Sequence, residues 1–241
     1  MTRLTTHQSL LNRPSPIREE RRDVTHLPNW VLSLPGVKIA VGKLGQQEFQ
    51  RRLVHMSPAF LPIGLPFIPH RDVWGPMLLS TLAVVVIVGL YGALKIGVKV
   101  QRTREENWCS NVFCYAIPIV AMLLLFPGQA ELGLLTLQVV ALGDGSATLG
   151  GLMLGGPKLP WNARKTYAGC CSFVAVSTLG GTYSYWGEAV PAVPIATVLM
   201  ICFVTALASA IVESVSTGSN DNLRVGITAG TVGYLMTSLL V

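Results

Sequence analysis

A single carboxylate, Asp144, interrupts residues 132–157, a long stretch that otherwise reads as an uncharged membrane helix. A carboxylate at that depth is costly unless a cavity, a metal or a partner solvates it, so an intramembrane ionisable residue is a functional candidate by default. Its neighbours sharpen the case: Gly143-Asp144-Gly145-Ser146-Ala147-Thr148, then Gly150-Gly151 and Gly155-Gly156. Small residues let a ligand come close to the backbone, and hydroxyl and amide groups can line a phosphate or metal cavity. A glycine-rich run in a membrane helix also suits helix packing, but packing alone does not call for Asp144.

Three further polar blocks accompany it. In Glu48-x-x-Arg51-Arg52-x-x-His55, a helix would put Glu48, Arg52 and His55 on one face. Arginines at a membrane edge often serve as topology anchors; a pair of guanidinium groups also makes an anion clamp, matching phosphate oxygens in shape and charge. The next block, Lys158 and Arg164-Lys165-Thr166-x-x-Gly169, reads as a basic loop opening a helix, where free N–H groups and the helix dipole favour an anion. The last joins Glu213 to a polar turn at 217–222 that ends in Asp221 and Asn222. The carboxylates of Asp144, Glu213 and Asp221, with the Lys and Arg residues around them, predict a cage for a magnesium-bound nucleotide triphosphate. Magnesium takes a few hard oxygen ligands together with phosphates and water.

The elements that must position these residues are membrane helices. Of the 241 residues, 51% are hydrophobic and 12% charged, about half the charged share of ~25% usual in a soluble domain. Uncharged stretches near the ~20 residues a bilayer requires occupy 73–94, 107–130, 132–157, 166–187 and 189–212, with shorter candidates at 53–69 and 225–241. The reading is an all-α, polytopic membrane bundle of about seven transmembrane helices. Residues 1–47 form a partly disordered N-terminal segment and residues 48–241 the multi-span domain. If the spans alternate from a cytoplasmic N-terminus, 17 of the 18 Lys and Arg residues fall on the cytoplasmic side and Arg71 alone lies outside, as the positive-inside rule predicts. The net charge of +6 is thus a topology signal, and no nucleic-acid partner is expected. Residues 1–25 lack an apolar core, so no cleavable signal peptide is expected. Cys109, Cys114, Cys170, Cys171 and Cys202 show no metal-ligand spacing, and no zinc site is expected.

Taken together and in this order, the four blocks resemble the CTP-dependent lipid and polyprenol kinases: dolichol kinase, phytol kinase and the CTP-type diacylglycerol kinase, relatives of phosphatidate cytidylyltransferase. The resemblance covers about residues 48–241. It rests on Gly143-Asp144-x-x-Ala147, Lys165-Thr166-x-x-Gly169, Glu213 and Asp221-Asn222-Leu223. Arg51-Arg52 stands where the family usually has Arg-Lys ahead of a His. Three positions depart from the pattern: Ala168 replaces a common Glu, Cys170 a common Ser, and Gly226 a frequent proline.

The resemblance implies a membrane enzyme that binds CTP with Mg²⁺ at the cytoplasmic face, in a cell inner membrane, and phosphorylates a lipid alcohol. Asp144 and Asp221, with Glu213, would hold magnesium. Lys165, Arg51 and Arg52 would neutralise phosphate oxygens. Gly143, Gly145, Ser146, Thr148, Gly151, Lys158, Thr166, Gly169 and Asn222 would line the nucleotide. A carboxylate or His55 would take the hydroxyl proton. One alternative is a cytidylyltransferase attacking the α-phosphorus of CTP; the absence of that family's His-Gly-Gly run and Asp-Arg-x-Asp ending favours the kinase. The other is an ion-coupled transporter or structural membrane protein, disfavoured because the polar motifs gather at one face.

Overall fold

The computed structural model describes residues 28–65, 75, 81 and 108–241. All of the expected span at 73–94 except residues 75 and 81, the segment 1–26, and the cations Arg71, Lys95, Lys99, Arg102 and Arg104 lie outside the described residues. What is described is almost entirely helical. The longer helices are α1 (Pro35–Leu44), α2 (Gln46–Met56), α3 (Trp108–Leu125), α4 (Ala130–Leu154), α5 (Tyr167–Glu188), α6 (Ile195–Ser214) and α7 (Asp221–Leu240). The strands β1 (Lys158–Leu159) and β2 (Asn162–Thr166) form a small antiparallel hairpin between α4 and α5. The basic segment expected to be a loop is therefore partly strand.

Helix α4 is the axis of the bundle and touches every other helix named above. Leu132, Leu135, Val139 and Val140 of α4 are buried against Phe173 and Tyr185 of α5, Val198 and Ile201 of α6, and Val225 and Ala229 of α7. Helices α4, α6 and α7 are long and apolar enough to cross a membrane. Their outer faces carry exposed Leu199, Phe203, Leu207 and Ile211 on α6, and Ile227, Leu235 and Leu239 on α7. Helix α5 is equally long but carries glycine and hydroxyl residues towards α4. A methyl group at Gly143 would strike Phe173, one at Gly150 would strike Ser172, and one at Gly169 would come 2.8 Å from the Ala147 carbonyl oxygen. Small residues of this kind let membrane helices approach backbone to backbone.

The described part of the expected 53–69 span is not one helix. Helix α2 ends at Met56, a 3₁₀ turn follows over Ser57–Phe60, and a single α-turn over Leu61–Gly64. Pro58 and Pro62 each remove a backbone donor from the helical ladder. The buried Gln138 side chain of α4 secures this irregular segment, donating through Nε2 to the Ala59 carbonyl at 2.9 Å and to Ser184 Oγ at 2.8 Å.

Element boundaries follow local chemistry. Gly155 and Gly156, at φ 66° and 99°, stop α4 and turn the chain into the hairpin, a left-handed conformation that favours glycine. Thr166 caps α5 by accepting from the Gly169 N–H at 3.0 Å, and Asn220 caps α7 by accepting from the Asn222 N–H at 3.0 Å. Gly226 of α7 lies against the ring of Pro118 in α3, where an added Cβ would come 2.5 Å from Pro118 Cγ. Gly226→Val should therefore force α3 and α7 apart. A loss of about 1–3 kcal/mol is expected from overpacking, seen as a lowered unfolding midpoint of the purified protein in detergent.

Candidate active site

Chain direction brings the motifs to one end of the bundle. The last turns of α4 and α6 and the first turns of α5 and α7 meet there, with the hairpin and α2 beside them. Asp144 lies ten residues before the end of α4, about 15 Å inward at 1.5 Å per residue. Its side chain keeps 36% of its exposure, so the carboxylate is not sealed within packed side chains.

Helix α2 supplies its partner. Arg52 Nη1 is ion-paired with Asp144 Oδ2, and Arg52 Nε donates to Glu48 Oε1 at 3.1 Å. Arg51 grips the same Glu48 with two hydrogen bonds of 2.9 and 2.7 Å. One acid thus orients both guanidinium groups. His55 anchors the helix: its Nε2 is 3.2 Å from the Val140 carbonyl oxygen, one turn before Asp144. Its ring meets Tyr115 edge-on with centroids 4.9 Å apart, and the Tyr115 hydroxyl donates to the His55 carbonyl at 3.3 Å.

The second half of the site is built on the end of α6. Glu213, with a side chain only 7% exposed, is ion-paired with Lys165, whose Nζ also donates to the Glu213 carbonyl. Asn162 donates to the Ser214 carbonyl at 2.9 Å, and Arg224 donates to the carbonyls of Val212 at 2.7 Å and Val215 at 3.1 Å. Four consecutive carbonyls at the end of α6 are thereby satisfied by side chains of the hairpin and α7. Helix ends need such partners, and cations there complement the dipole. Trp161, at the hairpin turn, donates its indole N–H to Ser214 Oγ at 3.0 Å.

The two halves are close enough to interact. Asp144 lies within electrostatic reach of Arg51, His55 and Lys165, and Glu213 within reach of Asp144 and Asp221. Two cations, Arg52 and Lys165, and two carboxylates, Asp144 and Glu213, thus come together at this end of the bundle. The farnesol kinase, chloroplastic, of Arabidopsis thaliana is 24% identical over 215 residues, covering 81% of this chain and 68% of that protein. The probable phytol kinase 3, chloroplastic, of Glycine max is 24% identical over 210 residues, covering 80% and 64%. The probable phytol kinase, chloroplastic, of Triticum aestivum is 25% identical over 217 residues, covering 80% and 69%. The chain is thus similar in sequence to proteins named farnesol kinase and phytol kinase. The match spans about two thirds of the length of these relatives. No protein-family model and no solved structure matches the chain.

The remaining candidates are distributed unevenly. Asp221 is exposed at the start of α7 and pairs with Arg224 at 3.1 Å. Asn222 is half-buried beside it, and Lys158 is exposed on β1. Ser146 is buried, donating to the Gly143 carbonyl at 3.0 Å, and Thr148 is half-buried. Gly145 is packed against Met56 of α2, and Gly151 against Thr166 Oγ1. Gly143, Gly145, Gly151 and Gly169 thus stand at close helix contacts. Among the described residues, no group of three or more His, Cys, Asp or Glu side chains is close enough to hold a metal ion. Asp144, Glu213 and Asp221 each face a cation instead. The donor chemistry suits magnesium one carboxylate at a time, completed by phosphate and water, rather than as a three-carboxylate cage.

Several contributors are absent from the motifs read in the sequence: Tyr115, Trp161, Asn162, Ser214 and the capping role of Arg224. A Pro160-Trp161-Asn162 run between Lys158 and Lys165 was the one available signal, since proline and asparagine mark turns.

One outcome follows from this geometry. Lys165→Met leaves the buried Glu213 carboxylate without its partner and should cost about 3 kcal/mol of stability, as breaking a buried pair does; adding Glu213→Gln should recover part of it in a double-mutant melting cycle.

Proposed function

We propose that this chain is a membrane-embedded kinase that transfers the γ-phosphoryl group of CTP to the hydroxyl of a lipid alcohol, with about seven spans and a cytoplasmic site. The observation that carries this reading is the meeting of two ion pairs, Arg52–Asp144 and Lys165–Glu213, at one end of an apolar bundle. The names of its relatives, farnesol kinase and phytol kinase, point to the same chemistry and to isoprenoid alcohols as the acceptor class. Polyprenols and diacylglycerol share the required hydroxyl and tail.

Phosphoryl transfer depends chiefly on positioning and on charge stabilisation. An incoming triphosphate competes with Asp144 and Glu213 for Arg52 and Lys165. Its oxygens take over the cations, and the displaced carboxylates become available to magnesium and to the acceptor. Magnesium, accompanying the nucleotide, supplies neutralisation of the phosphate charge. The lipid hydroxyl oxygen attacks the γ-phosphorus in line, the bond from that phosphorus to the bridging oxygen breaks, and CDP leaves with the electron pair. The hydroxyl proton passes to a carboxylate. Asp144 fits this role better than His55, because its side chain is partly exposed while His55 Nε2 is engaged by the Val140 carbonyl. The tail stays in hydrocarbon throughout, avoiding ~0.8 kcal/mol for each CH₂ exposed to water.

The direct test is incubation of membranes carrying the protein with CTP labelled at the α or the γ position and a panel of farnesol, phytol, polyprenol and diacylglycerol. Label entering the lipid from the γ position is expected; entry from the α position would instead indicate cytidylyl transfer. Asp144→Asn and Lys165→Ala should each lower turnover by roughly 10³-fold, the scale of losing a preorganised charge at the reacting group, while the protein still inserts. Activity like that of the wild type in either variant would remove the proposed site.

A further inference from the structure

Trp161 is the residue at this end of the bundle whose geometry the phosphoryl-transfer reading does not use. Its side chain is 59% exposed, yet it is held in place. Its indole N–H donates to Ser214 Oγ, whose own hydroxyl donates back to the Ile211 carbonyl at 2.7 Å. Asn162, the next residue, holds the Ser214 carbonyl, and Lys165 on the same strand pair holds Glu213. Three residues of the hairpin therefore grip two successive residues of α6. An aromatic plane fixed at its polar edge and open on its surface is a stacking platform.

Depth along the bundle gives this platform a direction. Trp161 and Ser214 are at the rim, and the Lys165–Glu213 pair is adjacent. Thr166 lies against Gly151 and Gly169 against Ala147. From Gly151, seven residues along α4 lead inward to Asp144, about 10 Å. Lys165 stands between the rim and the Arg52–Asp144 pair, and the exposed Lys158 and Arg164 flank the rim.

We infer that Trp161 stacks on the base of the nucleotide, which enters base-outward with its phosphates passing Lys165 and its terminal phosphate reaching towards Arg52 and Asp144. The inference rests on the reading of the site as a nucleotide-dependent kinase and adds the base subsite and the orientation of the donor. Stacking on an aromatic plane is tolerant of base identity, so Trp161 contributes affinity for any nucleoside triphosphate; the preference among bases must come from edge contacts elsewhere.

The test uses the full chain in lipid nanodiscs and equilibrium binding of labelled CTP without any alcohol present, so that it does not depend on turnover. Inorganic tripolyphosphate, which has the phosphates but no base, serves as the competing probe. Trp161→Ala should weaken CTP binding on the order of 10-fold, the scale of one base–aromatic stack, and leave tripolyphosphate binding unchanged. Trp161→Phe, which keeps a ring but loses the N–H, should restore most of the affinity. Unchanged CTP binding in Trp161→Ala, or equal loss for CTP and tripolyphosphate, would overturn the inference; the second result would make Trp161 a brace of the hairpin only. A weakened apparent affinity for the lipid alcohol with CTP binding intact would instead make it a membrane-surface anchor, and also overturn it. A wild-type protein that binds tripolyphosphate and CTP equally well, and still phosphorylates an alcohol, would sink the base platform while sparing the kinase. Absence of nucleotide binding in the wild type would sink both.

Discussion

The ion pair between Arg52 and Asp144 is the constraint around which this end of the molecule is organised. A carboxylate ten residues inside an apolar helix is tolerable only with a partner, and the partner comes from a different helix. Everything that fixes α2 on α4 therefore serves the pair. His55 holds the carbonyl of Val140, Tyr115 holds the carbonyl of His55, Met56 fills the space beside Gly145, and Gln138 ties down Ala59 beyond the end of α2. Glu48 then draws Arg51 and Arg52 to one side. The result is a cluster of paired charges set at a defined depth by contacts that are mostly neutral.

Helix α6 presents the complementary problem. Its last carbonyls, from Val212 to Val215, would be orphaned at a membrane edge without partners. Arg224, Lys165 and Asn162 satisfy all four. Two of these side chains are cations, so the same groups that end the helix also charge the site. Lys165 joins the two roles most directly, holding both the side chain and the carbonyl of Glu213. A structural requirement and an electrostatic one are met by one residue, which is why a site can be built here from few charges.

How much of this was legible in the sequence depended on how local the determining contact was. The Thr166-x-x-Gly169 cap is a contact across three residues, and its spacing alone announces it. Asp144 was visible because a charge in an apolar run violates a rule that needs no tertiary information. The Glu48, Arg52 and His55 face followed from helical spacing, and α2 forms as that spacing requires. By contrast, the partners Arg52–Asp144 and Lys165–Glu213 are 92 and 48 residues apart, and no periodicity encodes such a pairing. The hairpin is illegible for a related reason: two residue pairs, Lys158 with Thr166 and Leu159 with Asn162, leave almost no alternating pattern to read. The glycines of α4 show the limit most clearly. Their spacing fits a ligand-lining strip and a packing face equally well, and only the positions of Phe173, Met56, Ser172 and Thr166 across from them reveal the packing. The same holds for Gly226, a departure from the resemblance that becomes intelligible once the Pro118 ring is seen to occupy the space a side chain would need. Residues whose meaning lies in their own chemistry could be read from the chain; residues whose meaning lies in what faces them required the fold.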